Sequence, residues 1–267
     1  MYKKIIALFF LGLMVYGCAT VPLTGRRQLS IVGNSEILPL SYDQYSTVIK
    51  DSKIVTNTPD GQKVVNVGRR IASAVEQYLK DNNYQGITEG FSWEFNLIES
   101  EQVNAWCMPG GKVAFYTGIM PICRDETGVA VVMGHEVAHA IANHARERMS
   151  QGLVANGLLG GVQMAMGENP SLTQTIFLQA IGYGGQVGML KFSRDQELEA
   201  DKLGLIFMSI AGYDPREAPK FWERMNAGAD RADVPEFLST HPGPDRRIDR
   251  LNEQMAEASA LYEKNKR

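Results

Sequence analysis

The sequence predicts a mostly helical α+β fold with one small antiparallel sheet, and three features carry that expectation. Apolar residues recur at helical spacing in long stretches on both sides of the chain's middle. Between residues 91 and 117 the pattern switches to an alternation of period two, broken by Pro109-Gly110-Gly111. Helix-start signals then follow at Asp125 and Ser193. The 267 residues, 44% hydrophobic and 21% charged, suffice to bury one good core. A net charge of -3, with no basic stretch interleaved with aromatics, excludes nucleic acid as an expected partner.

Taken in order, residues 1–17 read as an export signal. Lys3 and Lys4 precede an apolar run from Ile5 to Val15, shorter than the roughly 20 residues a bilayer-spanning helix needs. Ending in Gly17 before Cys18, the segment resembles a bacterial lipoprotein signal, in which the cysteine becomes the lipidated first residue of the mature chain. Residues 18–35, with Pro22, Gly25 and Gly33 and little periodicity, are then a tether, and residues 36–267 the folded domain. Two packing helices are expected from Ser35 to Lys50 and from Gly61 to Lys80, the second on the spacing of Val64, Val67, Ile71, Val75 and Leu79. Three strands follow at 91–98, 103–107 and 113–117. The next helix starts at the cap Asp125 with Glu126 in its first turn and has Arg146 and Arg148 in its last, so both ends complement the macrodipole. Residues 151–190 carry one charge, Glu168, and nine glycines, which suits a pair of closely packed buried helices and, through glycine hinges, a mobile lid. Ser193 with Gln196 starts a further helix, Asp214-Pro215 another, and residues 239–244 form a rigid turn before a last amphipathic helix. For Cys107 and Cys123, a disulfide and two separate buried thiols are both compatible with the sequence.

Chemistry concentrates in His135-Glu136-Val137-Ala138-His139. Residues four apart share a helix face, so two ring nitrogens can meet one ion while Glu136 reaches a ligand of that ion. This is the HExxH arrangement of zinc peptidases, in which a bound water falls to a pKa of about 7 and a neighbouring carboxylate takes its proton. Downstream, Glu197 and Asp201 lie one turn apart on a capped helix. Glu197 can supply the third ligand and Asp201 can accept the outer N–H of a ligand histidine, expected to be His135. Glu199 competes on composition, but Glu197 alone has an aspartate four residues on. His241, in the loop, is a candidate donor to a developing oxyanion. Arg247 is a second candidate donor, or else a salt-bridge partner of the acidic helix. His144, nine residues after His135, projects to the far side of an unbroken helix and is expected to be structural or to support a ligand. The metzincin pattern, with glycine at 142 and histidine at 145, is excluded by Ala142 and Ala145.

Together, the Gly-His-Glu-x-x-His at 134–139, Phe-Ser-Arg-x-x-Glu-x-x-Ala-Asp at 192–201, Asn104-Ala105 with Pro109-Gly110-Gly111, and Ser239-Thr-His-Pro with Arg247-Ile248 resemble the gluzincin family of HtpX, BepA, LoiP, the mitochondrial Oma protease and the CAAX prenyl protease. The resemblance runs from about Pro22 to Leu251. It implies a zincin-like metallopeptidase domain whose small sheet adjoins the HExxH helix, with one zinc per chain on His135, His139 and Glu197 and with Glu136 as base. It further implies that His241 stabilises the transition state or caps the zinc as an inhibitory fourth ligand. No transmembrane helix and no repeat domain are expected, which favours envelope quality control over prenylated substrates. The expected substrates are misfolded or misassembled envelope polypeptides met from the periplasmic side. The lipid anchor makes the membrane a partner, and the outer-membrane assembly machinery is a candidate one. The absence of aspartate at Ala19 and Thr20 tilts the location toward the outer membrane. The competing expectation is a chaperone or assembly lipoprotein with a structural zinc, in which Glu136 would have no role.

Overall fold

The computed structural model describes residues 18–21, 23–156, 170–182, 192–229, 235–241 and 246–266. The expected signal, 1–17, lies outside them. Of residues 18–35, expected as a tether, the described ones are instead folded onto the domain. β1 (Cys18–Thr20) pairs antiparallel with β2 (Arg27–Leu29), Cys18 opposite Leu29, and Val21, Gln28 and Val32 are buried. Besides this apolar burial the hairpin is held by an ionic anchor: Arg26 meets Glu147 at 2.8 Å and Glu199 at 2.6 Å. Too few apolar residues are involved for a period to show.

α1 (Asn34–Asp51) and α2 (Pro59–Asp81) form where expected. The Thr58 hydroxyl accepts from the Gly61 amide at 3.1 Å, Pro59 fills the first turn, and Val64, Val67, Ile71, Val75 and Leu79 are buried on one face. β3 (Glu94–Ile98), β4 (Ala105–Met108) and β5 (Lys112–Tyr116) make a sheet in the order β3-β5-β4. The β4–β5 hairpin is antiparallel and turns on Gly110 and Gly111, whose φ of +84° and +81° favour glycine. β3, however, runs parallel to β5, so the sheet is mixed. Residues 99–104 carry the chain one strand width past β3, and the hairpin folds β5 back into that gap. Alternation specifies which face a side chain takes but not which strand is its neighbour.

After the short α3 (Met120–Cys123) comes α4 (Glu126–Ile141), capped as expected by Asp125, which accepts from the amides of Thr127 at 2.9 Å and Gly128 at 3.0 Å. Every residue from Gly128 to Ile141 is buried. The helix does not continue to Arg148. Asn143 takes a left-handed φ of 58°, a conformation asparagine tolerates better than most residues, and α5 (His144–Ala155) sets off in a new direction. α6 (Pro170–Ile181) packs on α5, with Ile176 against Gly152. This agrees with a closely packed helix pair; the rest of the glycine-rich segment expected as a lid, 157–169 and 183–191, lies outside the described residues.

α7 (Arg194–Ile210) opens on a reciprocal box: Ser193 Oγ accepts from the Gln196 amide at 3.2 Å and Gln196 Oε1 from the Ser193 amide at 3.1 Å. α8 (Glu217–Ala229), the short α9 (Glu236–Thr240) and α10 (Arg247–Asn265) complete the chain. The expected turn at 239–244 begins as the end of α9, and residues 242–245 lie outside the described set. The main core joins α2, the sheet, α4, α7 and α8 through Ile71, Phe115, Val132, Phe207 and Trp222. Cys107 and Cys123 are separate thiols. No helix among the described residues is long and apolar enough to cross a membrane.

The two helices that carry the sequence motifs touch backbone to backbone. A Cβ on Gly204 of α7 would lie 2.8 Å from the His135 amide nitrogen and 2.9 Å from the Gly134 carbonyl carbon. No side chain can yield there, so Gly204→Ala should force α7 away from α4. We expect a loss of about 1–3 kcal/mol, read as a lower urea midpoint at unchanged slope. A wild-type midpoint would contradict this close approach.

Candidate active site

Two turns of α4 face one turn of α7, and four side chains converge at the crossing. Nε2 of His135 lies 3.1 Å from Nε2 of His139 and 3.5 Å from Glu197 Oε2, and His139 Nε2 is 3.4 Å from Glu197 Oε1. Atoms about 2.0–2.2 Å from one tetrahedral zinc stand about 3.3–3.6 Å apart, so these three separations come close to those around a single ion. His241, at the end of α9, joins them, the four ligand atoms all lying within 4.8 Å of one another.

Polar satisfaction points the same way. Glu136 Oε1, Glu197 Oε1 and His241 Nε2 are buried without a hydrogen-bond partner among the described residues, and a buried orphan costs about 1–3 kcal/mol. One cation answers several of them at once. The donor set of imidazoles and one carboxylate suits zinc. Asp201 accepts from His135 Nδ1 at 3.0 Å, as expected from the sequence, and Arg247 donates its Nε to Asp201 at 2.6 Å while also pairing with Glu197. Of the two readings for Arg247, the structure shows the salt bridge. Its guanidinium lies 3.8 Å from the centre of the Trp222 ring, which packs edge-on to His135.

The ionisation states follow from these contacts. Burial pushes the Glu136 carboxyl up to about 8, with His135 opposing. Burial likewise works against a charged Glu197, but His241, His135 and His139 outweigh it and hold Glu197 well below the usual carboxylate range. Burial would lower His135, yet Asp201 and Glu197 raise it to about 9, so without a cation this imidazole takes a proton in the cation's place. Burial depresses His139 well below its ordinary value and His241 to about 3, leaving both imidazoles uncharged at neutral pH.

His144 is the residue the sequence placed for the wrong geometric reason. The expectation that it supports the site or the structure stands, but the helix does break, and the break brings His144 Nδ1 within 2.8 Å of His139 Nδ1. Glu199, weighed as a rival of Glu197, sits apart from the convergence and takes His144 Nε2 at 2.9 Å. Phe192, to which the motif assigns no role, stacks on His241 and covers His139, at ring separations of 4.9 and 4.1 Å. One signal was available: the chain has four histidines, and all four meet here.

The sequence profile of peptidase family M48 matches residues 67–255. The chain is 30% identical to the mitochondrial metalloendopeptidase OMA1 of Saccharomyces cerevisiae, over 98% of this chain and 77% of that protein. It is 27% identical to the human metalloendopeptidase OMA1, over 95% of this chain and 51% of that one. To the beta-barrel assembly-enhancing protease of Escherichia coli it is 30% identical, over 58% of this chain and 33% of the relative.

Proposed function

The chain belongs to peptidase family M48 and is a metalloendopeptidase, and from that premise we propose that it hydrolyses misfolded or misassembled polypeptides of a bacterial envelope, held to the membrane through a lipidated Cys18. The observation that carries the chemistry is the convergence of His135, His139 and Glu197 beside Glu136, whose Oε1 is unpartnered among the described residues. These three residues would hold one zinc per chain, which when bound supplies Lewis acidity that polarises a carbonyl and acidifies water. Glu136 takes a proton from the attacking water and hands it to the leaving amine. A carboxylate that burial has moved toward neutrality is suited to both transfers. Asp201 fixes the tautomer of His135, and Arg247 bridges Asp201 and Glu197, offsetting one of their two charges.

His241 Nε2 lies 3.6 Å from Glu136 Oε1, and Thr240 Oγ1 sits on its Nδ1 at 2.9 Å. The single Thr240 hydrogen has two acceptors in reach, the Phe237 carbonyl at 3.2 Å and His241 Nδ1; when it goes to Nδ1, Nε2 keeps its hydrogen and can donate to a developing oxyanion. β4 is an edge strand of the sheet and packs against α4. A cavity of about 270 Å³ lined by Asn104, Ala105, Trp106, Tyr116, Thr240 and His241 runs along it. An extended polypeptide can add to that edge by main-chain pairing, which favours unfolded substrates. The envelope setting rests on the charged-then-apolar start of the chain before Cys18 and on the likeness to a protease named for assembling beta-barrels. The same likeness supports assembly machinery as partner, and the absence of aspartate at Ala19 and Thr20 favours an outer-membrane location.

A chelator should abolish cleavage of an unfolded protein, and zinc added back should restore it, with metal analysis giving one zinc per chain. Cleavage that survives complete metal removal would overturn the proposal.

A further inference from the structure

Building on the metal-site reading above, we propose that Arg26, Glu199 and His144 form a positioning relay for His139, which makes the N-terminal hairpin a working part of the metal centre. The contacts are continuous. Arg26 Nε donates to Glu199 Oε2 at 2.6 Å, the Thr24 hydroxyl donates to Oε1 of the same carboxylate, His144 Nε2 stands 2.9 Å from Oε2, and His144 Nδ1 stands 2.8 Å from His139 Nδ1.

Counting protons along this chain leaves one arrangement for neutral imidazoles. An ionised carboxylate only accepts, so the His144 nitrogen facing Glu199 carries hydrogen. His144 Nδ1 is then an acceptor. The short nitrogen-to-nitrogen contact needs one proton, and His139 Nδ1 must supply it. His139 Nε2 is thereby left a bare lone pair, aimed at Glu197 and His135. The relay does for His139 what Asp201 does for His135, with an imidazole inserted to span a longer gap. The left-handed Asn143 now has a reason: an unbroken α4 would carry His144 away from His139.

Arg26 also anchors the relay mechanically. Its two terminal nitrogens donate to both oxygens of Glu147 at 3.0 and 2.8 Å, and Glu147 accepts from Gln196 at 2.8 Å. The hairpin is thus tied to α5, which carries His144, and to α7, which carries Glu199.

The test compares zinc affinity, by competition with a chromogenic chelator, in the full chain and in His144→Leu, His144→Asn and Arg26→Met. Asparagine can place its Oδ1 near the lost Nδ1 and accept from His139; leucine fills space and cannot. His144→Leu should bind zinc about 10–100-fold more weakly and Arg26→Met should weaken it in the same direction, whereas His144→Asn should recover most of the affinity. Equal affinity in His144→Leu and wild type, or equal loss in the leucine and asparagine variants, would overturn the relay and leave His144 a packing residue. Nitrogen-15 spectra of the wild-type chain give a readout that needs no variant to fold: His144 should carry its hydrogen on Nε2, and a hydrogen on Nδ1 would overturn the relay. A wild type that binds no zinc would instead sink the metal reading beneath it.

Discussion

Glu136→Gln should lower turnover of an unfolded polypeptide by about three orders of magnitude while zinc content and thermal melting stay those of the wild type. The size follows from removing a general base that also returns the proton, a contribution of about 10²–10⁴. The selectivity follows from geometry. Glutamine has the shape of glutamate, and Glu136 is not among the four side chains that converge as ligands. His241, uncharged at neutral pH, lies 3.6 Å from Glu136 Oε1, which has no hydrogen-bond partner among the described residues. Glutamine also retains one oxygen to accept from the Cys107 backbone, as this carboxylate does. Amidation therefore keeps the structural contact while ending proton transfer. Cleavage retained by a fully folded, zinc-loaded variant would refute the mechanism. The same variant serves as a trap: polypeptides it retains in vivo should be envelope proteins, and a set drawn from another compartment would remove the substrate proposal while leaving the chemistry intact.

Arg247→Met should be the most destabilising single change at the site, costing the metal-free protein about 3–5 kcal/mol. Arg247 is buried with both of its carboxylate partners, and methionine keeps much of the stem that lies on Trp222 while removing the charge. Glu197 and Asp201 would be left as two buried anions sharing only the protonated His135. Zinc supplies positive charge to Glu197 from the other side, so saturating metal should shrink the loss. The sign with pH is also set. The folded-state pKa of Glu197 lies below its unfolded value, so its contribution to stability is complete above the ordinary glutamate range and is lost as the pH falls toward the folded value. The difference between variant and wild type should accordingly narrow in acid. Urea unfolding with and without zinc measures both trends; a variant as stable as wild type without metal would show that the pair contributes nothing.

Much of the fold was legible because its signals are local. The apolar spacing of α2, the caps at Asp125 and Ser193, and the glycine turn between β4 and β5 each depend on residues a few positions apart. The parallel β3 was not legible, since its partner is chosen by where a six-residue connection lands. The hairpin was not legible either. Its polar attachment centres on one arginine reaching residues 121 and 173 positions away, a pairing with no period and no composition bias to reveal it.

By itself the sequence determined which side chains could share an ion: a helix places residues four apart on one face whatever surrounds it, so His135 with His139 and Glu197 with Asp201 were pairs before any fold existed. Only the tertiary structure decided how those pairs meet and what stands behind them. The glycine crossing of α4 and α7, the reversal at Asn143 and the long reach of Arg26 are settled by packing and by the cost of leaving a buried charge alone, which act through space and are indifferent to distance along the chain.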